Sequence, residues 1–198
     1  MIILNDFSTS VRKALEEIDP NYDSYEALVV CGTHTPQNTN EMIDAIKIAR
    51  EKNVPFLGIC FGFQLMIIEY ARNVLGIKDA TSEEFGEGSK VISKLPKMRV
   101  GIFPFYYRDG LSDSTINGLG EATTTYKEME SFWHNYAVNP DYITALQEHL
   151  DLRYSNDIVA YAGLLGHPHF IGVQFHPEYQ SSKDKPHPIL KNFLNICK

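Results

Sequence analysis

What this chain lacks narrows its class before any motif is considered. No apolar run approaches the ~18 residues of a membrane-spanning helix. The opening Met1-Ile2-Ile3-Leu4 is too short for a secretory core and carries no basic leader, so it reads as a first strand. Cysteine is scarce: Cys31, Cys60 and Cys197 are odd in number and scattered, without paired metal spacing, which suits a reducing cytoplasm. Positive charge is also short, with 18 Lys and Arg against 25 Asp and Glu and a net charge of -7. Binders of nucleic acid or anionic membrane need a basic surface for phosphate, so small metabolites or a protein partner fit better. No Gly-x-x-x-x-Gly-Lys-Ser/Thr phosphate loop occurs, which leaves nucleotide activation without a visible site. No cofactor is expected. Neither an internal repeat nor a domain boundary is visible, and 198 residues of which 43% are hydrophobic can bury a full core as one domain, 1–198.

What is there alternates. Ile2 to Leu4, Ala27 to Val30 and Val54 to Ile59 read as short strands. Helical segments follow them at Ser10 to Ile18, at about Asn40 to Lys52 with Met42, Ala45, Ile46 and Ala49 on one face, and at Phe63 to Leu75. Such alternation builds an α/β fold with a mostly parallel central sheet flanked by helices. After Phe85 the segments shorten and alternate in polarity. Val91 to Leu95, Val100 to Phe105 and Phe132 to Val138 read as an additional antiparallel strand region. Ile158 to Leu165 and Phe170 to Phe175 form a hairpin around Gly166-His167-Pro168-His169. Gly110 to Thr125 reads as a loop beside the site, and Ile189 to Ile196 as a final helix after a second loop. His167 and His169 invite a metal reading. Exposed turn histidines are common, a closed site needs about four ligands, and no metal is expected.

The chemistry concentrates in Gly58-Ile59-Cys60-Phe61-Gly62-Phe63-Gln64 and in His176-Pro177-Glu178. A cysteine at a strand-to-helix turn sits where Gly-x-Ser-x-Gly places a serine, on a tight elbow that exposes its side chain. The helix N-terminus behind it favours negative charge and hence thiolate, and the Phe61 amide becomes a natural oxyanion donor. His176 precedes a proline and is pushed toward an extended conformation, where residues two apart share a face. Glu178 can then hold the imidazole in one tautomer, which outlines a Cys-His-Glu triad. A buried cysteine or a lone histidine is by itself more often structural, and it is the joint occurrence that points to chemistry.

These segments resemble the class I glutamine amidotransferases, and within them the glutaminase domain of CTP synthase. The likeness is carried by Pro55 to Leu65, by Glu69 to Ala80, by Ser82-Glu83-Glu84-Phe85, by Met98 to Gly101, by Tyr136 to Asn139 and by Val173 to Tyr179. The resemblance implies a flavodoxin-like fold and a reaction. Cys60 would attack the side-chain amide of L-glutamine, His176 would shuttle the proton to departing ammonia, and a glutamyl thioester would be hydrolysed. Gln64 and Glu84 match positions that contact the substrate, and His34 and His134 join them as candidate contacts. Gly32 and Thr33 would complete the oxyanion hole with Phe61.

The chain also departs from that family. Where the family has Pro-Gly-Gly-Phe-Gly, this chain has Cys31-Gly32-Thr33-His34-Thr35. Its arginine- and histidine-rich run before Tyr136 is here Glu130-Ser131-Phe132-Trp133-His134-Asn135, which removes a guanidinium suited to gripping a carboxylate. The synthetase part that precedes the glutaminase part in CTP synthase is not in this sequence, so ammonia would pass to a separate synthetase. Three functions follow: a glutaminase, a hydrolase of another γ-glutamyl compound on the same triad, or a non-catalytic regulatory or binding subunit. Arg72 is a structural ion pair or a substrate contact, Trp133 a cover or a core residue, and Tyr106-Tyr107-Arg108 carries no nucleotide assignment.

Overall fold

The computed structural model describes residues 1–108, 125–167 and 169–198. Its elements run β1 (Ile2–Leu4), α1 (Ser8–Ile18), β2 (Leu28–Val30), α2 (Thr39–Glu51), β3 (Phe56–Ile59), α3 (Phe61–Asn73), β4 (Thr81–Ser82), β5 (Lys90–Arg108) and β6 (Thr125–Val138). They continue through α4 (Ile143–Gln147), β7 (Leu150–Ser155), β8 (Ile158–Leu164), β9 (Phe170–Val173) and α5 (Pro188–Cys197). The loop expected over 110–125 lies, apart from Thr125, outside the described residues.

The main sheet has the order β1-β2-β3-β9-β8-β7. β1, β2, β3 and β9 pair in parallel, and β8 and β7 add antiparallel. Strands covered on both faces read as continuous apolar runs, and β2 and β3 are buried at every position. Their side chains alternate between two cores. Val29 joins the core under α1 and α5, while Leu28 and Val30 join the one under α2 and α3. Helix α2 buries Met42, Ile43, Ile46 and Ala49, one position different from the expected stripe. Helix α3 is buried from Phe61 through Ala71, an all-round apolar helix in the centre of the molecule.

A second sheet, β4-β5-β6, carries the antiparallel region. Here two expected strands are one. β5 runs from Lys90 through Arg108 against β6, and its register slips between Lys94 and Arg99. Pro96 lies in that slip and has no N–H to donate to a ladder, so the sequence reads as a break where the structure makes an irregularity within one strand. The slip matters because it brings Met98 to the site described next. β7 and α4 were not anticipated, and β9 ends at Val173 rather than at Phe175. Among the described residues no helix is long and apolar enough to cross a membrane.

Candidate active site

The site forms where β3 and β9 end side by side. Ile59 pairs with Val173, so the chain beyond each strand emerges at the same carboxyl edge, where ligands of open α/β sheets bind. Cys60 follows β3 directly, and its N–H donates to the Val173 carbonyl at 2.8 Å. Its backbone is bent to φ 54° and ψ -102°, outside the regions that most side chains adopt, and α3 begins at Phe61 rather than at Phe63. The flanking glycines permit this bend. A Cβ on Gly62 would stand 1.9 Å from the Val30 carbonyl oxygen, and one on Gly58 would stand 2.7 Å from the Gly62 backbone. The first turn of α3 therefore presses on both strands. Phe61 lies within that turn, where backbone N–H groups have no intrahelical acceptor.

His176 and Glu178 meet, although not by the expected backbone. His176 has φ -109° and ψ 87°, and residues Pro177–Gln180 coil into a short 3₁₀ turn instead of staying extended. The turn still delivers Glu178 Oε1 to 2.8 Å from His176 Nδ1, with both residues buried. Burial pulls the imidazole pKa down. Hydrogen bonding and charge from Cys60 and Glu178 outweigh it and raise the value to about 10, so the imidazolium is the favoured form. Tyr179 stacks on the His176 ring, with centroids 5.0 Å apart. Phe7 meets it edge-on at 5.9 Å, and a Cβ on Gly32 would collide with Phe7 and crowd His176.

A cleft of about 120 Å³ opens over the cysteine, lined by Thr33, His34, Cys60, Phe61, Gln64, Glu84, Met98, Trp133, His134, Asn135 and Tyr136. Every residue expected to touch substrate therefore lines it, as do Thr33 and Phe61 of the expected oxyanion set. Gly32 packs behind, against His176. The Thr33 hydroxyl donates to Asp6 Oδ2 at 2.5 Å and accepts the Thr35 N–H at 3.0 Å, which ties the loop after β2 to the segment after β1. Trp133 is half exposed and lines the cleft; it is not a core residue. Its carbonyl accepts from Cys60 Sγ at 3.6 Å, and its ring meets His34 edge-on.

Several contributors escaped the sequence reading. Gln174 is fully buried, donates to Cys60 Sγ at 3.7 Å and accepts from Gln64 Nε2 at 3.2 Å. A polar residue inside the apolar run Val173-Gln174-Phe175 was the available signal. The Tyr136 carbonyl accepts from Gln64 Nε2 at 2.9 Å and from His134 Nδ1 at 2.8 Å. Burial lowers the His134 pKa to about 4, so its ring is neutral at pH 7. Burial likewise pushes the Glu84 carboxyl up.

Other expectations need correction. His167 and His169 are buried, not exposed, and the His167 ring accepts the His169 N–H at 3.2 Å. Among the described residues no cluster of potential metal ligands occurs. Among the described residues Arg72 makes neither an ion pair nor a cleft contact; it donates to the Ala80 carbonyl at 2.7 Å and to Asn40 at 3.0 Å, closing the turn after α3. The cysteines are free.

Comparison with known proteins bears on the family and the fold. The family model described as glutamine amidotransferase class-I matches residues 4–196. A CTP synthase of Methanoregula boonei is 39% identical over 186 residues, covering 88% of this chain and 34% of the relative. One of Sulfolobus acidocaldarius is 34% identical over 205 residues, covering 96% and 37%. The chain thus spans about a third of the length of the curated relatives it matches. Among solved structures, the glutaminase domain of a Trypanosoma brucei CTPS with bound acivicin superposes with a TM-score of 0.80 at 21% identity, covering all of this chain and 94% of that one. A protein from Thermoplasma acidophilum described as a GMP synthase subunit gives 0.61 at 18%, with the same coverage. These two likenesses are of fold.

Proposed function

This chain belongs to the class I glutamine amidotransferase family, and we propose that within it the chain hydrolyses the side-chain amide of L-glutamine, or of a related γ-glutamyl compound, through a thioester on Cys60. The observation that carries the reading is Cys60 at its strained elbow at the end of β3, beside the end of β9 from which His176 follows, with Glu178 holding the buried imidazole at 2.8 Å and the charges of Cys60 and Glu178 raising its pKa.

The steps follow from the groups in place. The Cys60 thiolate adds to the amide carbonyl, and the developing oxyanion meets the N–H of Phe61 and those of the Gly32-Thr33 loop. One such donor is worth ~10²–10³ in rate. The imidazolium of His176 gives its proton to the amide nitrogen, the C–N bond breaks and ammonia leaves. The neutral ring then takes a proton from water, whose oxygen adds to the thioester. The carbon–sulfur bond breaks, releasing the carboxylic acid and restoring the thiolate and imidazolium. Glu178 accepts from Nδ1–H throughout, fixing the tautomer and offsetting the ring's charge. Glutamine plus water gives glutamate plus ammonia.

The ammonia then passes to a synthetase held on another chain or elsewhere in a longer one, in a cytoplasmic setting. CTP synthase homology supports that destination without naming the acceptor. The test is glutamate release by the purified chain with Cys60→Ala as control, together with labelling by an electrophilic glutamine analogue. Turnover and labelling are both expected to vanish in the variant. A folded chain whose Cys60 stays unlabelled would instead be a non-catalytic binding protein.

A further inference from the structure

Three contacts run in series from the β6 backbone to the sulfur of Cys60. Gln64 Nε2 stands 2.9 Å from the Tyr136 carbonyl oxygen and 3.2 Å from Gln174 Oε1, and Gln174 Nε2 stands 3.7 Å from Cys60 Sγ. The carbonyl fixes the direction of the whole series, because it can only accept. The Gln64 atom against it must be the amide nitrogen, whose second hydrogen then goes to Gln174. Gln174 therefore turns its oxygen to Gln64 and its nitrogen to the sulfur. Turning either amide over would set oxygen against oxygen or nitrogen against nitrogen.

A donor counts for much at this sulfur. Cys60 is 8% exposed and Gln64 and Gln174 are buried with it, so little water is left to solvate a thiolate. The position of the donor is fixed by backbone. Val173, the residue before Gln174, accepts the Cys60 N–H at 2.8 Å, and the Gln174 N–H donates to the Ala160 carbonyl at 2.9 Å. Another contact favours the thiol: the Trp133 carbonyl, 3.6 Å from Sγ, accepts from S–H and would turn its negative end to a thiolate. Gln174 acts the other way, because a hydrogen bond to an ionised acceptor stabilises that form and is about twice as strong as one between neutral groups.

We propose that Gln174 is a further catalytic residue of the amide hydrolysis proposed above, on which the inference rests: its Nε2–H holds the Cys60 sulfur as thiolate for attack and stabilises it again when the thioester is hydrolysed. In that second half, water adds to the thioester carbonyl and gives its proton to His176. The carbon–sulfur bond breaks, and the bonding pair stays on the sulfur, where the Gln174 donor stands. Gln174 does not line the cleft, so it acts on the sulfur and leaves substrate binding to other residues.

The experiment compares the full chain with Gln174→Met, which keeps the side chain's length and loses the donor. Alkylation of Cys60 by iodoacetamide is measured against pH, with mass spectrometry separating Cys60 from the free Cys31 and Cys197, and kcat and KM are measured for ammonia release from L-glutamine. His176, Glu178 and Tyr179, the titratable groups around that sulfur, are common to both proteins. On the acid side of the profile Gln174→Met should react about tenfold more slowly, the scale of one hydrogen bond to a charged group, and the midpoint should move to higher pH by about one unit. At the alkaline limit, where the sulfur is ionised in both, the variant should react at least as fast as the parent, since a thiolate without its donor is the stronger nucleophile. A residue that only packed would lower the rate at every pH. In turnover, kcat should fall about tenfold with KM little changed. An unmoved profile beside normal turnover overturns the role of Gln174 and leaves the hydrolase standing. A moved profile in a chain that turns over no amide overturns the hydrolase and leaves Gln174 as the partner of the sulfur. NMR of the unaltered chain gives a reading that does not depend on the variant's folding: a Gln174 side-chain amide proton should shift as Cys60 titrates, and should not in Cys60→Ala over the same range. Amide protons that stay in place in both proteins overturn the proposal.

Discussion

Replacing Gly62 by alanine would add a single methyl group at the point where the site's geometry is tightest. Its Cβ would lie 1.9 Å from the Val30 carbonyl oxygen, 2.6 Å from the carbonyl carbon and 3.0 Å from Val30 Cβ. Ordinary contact begins at 3.4 Å, so α3 would have to withdraw from β2 by about 1.5 Å. It has nowhere to go, since every residue from Phe61 through Ala71 is buried. Overpacking a filled core costs about 1–3 kcal/mol. A backbone wall cannot swing aside, so the upper end, about 3 kcal/mol, is expected. Gly172→Ala is the control: its Cβ would meet the ring edge of Phe63 at 2.8 Å and the sulfur of Met66 at 3.0 Å. Those are side-chain ends, one of them flexible, and about 1 kcal/mol is expected there.

Urea unfolding of the two variants reads the stability, and Cys60-dependent amide turnover reads the site. Because Cys60 and Phe61 immediately precede Gly62, any withdrawal moves the proposed nucleophile and the proposed oxyanion donor together, and a displacement of about 1 Å can cost ~10² in rate. Gly62→Ala should therefore lose turnover out of proportion to its stability, while Gly172→Ala should not. A Gly62→Ala protein within about 0.5 kcal/mol of the parent, the ordinary surface range, would refute the claim that this glycine sets the elbow. So would unchanged turnover.

Two further perturbations test the buried charges. Glu69 is fully buried and receives Arg50 through Nε at 3.1 and 3.0 Å and Nη2 at 2.9 Å, so Glu69→Ala leaves the mostly buried guanidinium only its exposed contact with Glu51 and should cost about 3 kcal/mol by urea unfolding, the lower end for a broken buried pair; a loss below about 1 kcal/mol, the scale of an exposed pair, would show that the bridge is solvated. Histidine titration by NMR should separate His176 from His134, with His176 protonated until about pH 10 and His134 neutral down to about pH 4. The signs for stability are opposite. His176, raised above the 6.5 of an ordinary histidine, contributes fully below pH 6.5 and loses that contribution as pH rises toward 10. His134, lowered, contributes above pH 6.5 and loses it as pH falls toward 4. Glu178→Gln removes one of the causes that raise His176 and should bring its titration to lower pH; no movement would mean that Glu178 does not set the ring's charge.

The Cys60 elbow was legible in the sequence because everything that makes it is local. A strand, a bend and a helix follow each other within Phe56–Asn73, and the glycines that permit the bend stand beside Cys60. His176 and Glu178 were legible for the same reason, even though a 3₁₀ turn rather than an extended chain joins them. The parallel sheet was legible because strands buried on both faces stay apolar at every position, whereas β7, with its mixture of buried and half-buried positions, gave no such pattern. What was not legible depends on contacts that leave no mark on residue type. Phe7 touches His176 where Asn5, Asp6 and its own N–H tether the β1 turn to the loop after β2. Tyr136 acts on the site through its carbonyl, and any residue at that position carries one. Yet that carbonyl holds both Gln64 and His134 in place. The two parts of the candidate site are thus encoded at different levels. The Cys60 elbow and the His176–Glu178 pair are written in side chains at short spacing, whereas the surroundings of Gln64 and His134 emerge only when the β5–β6 ladder carries Tyr136 to α3.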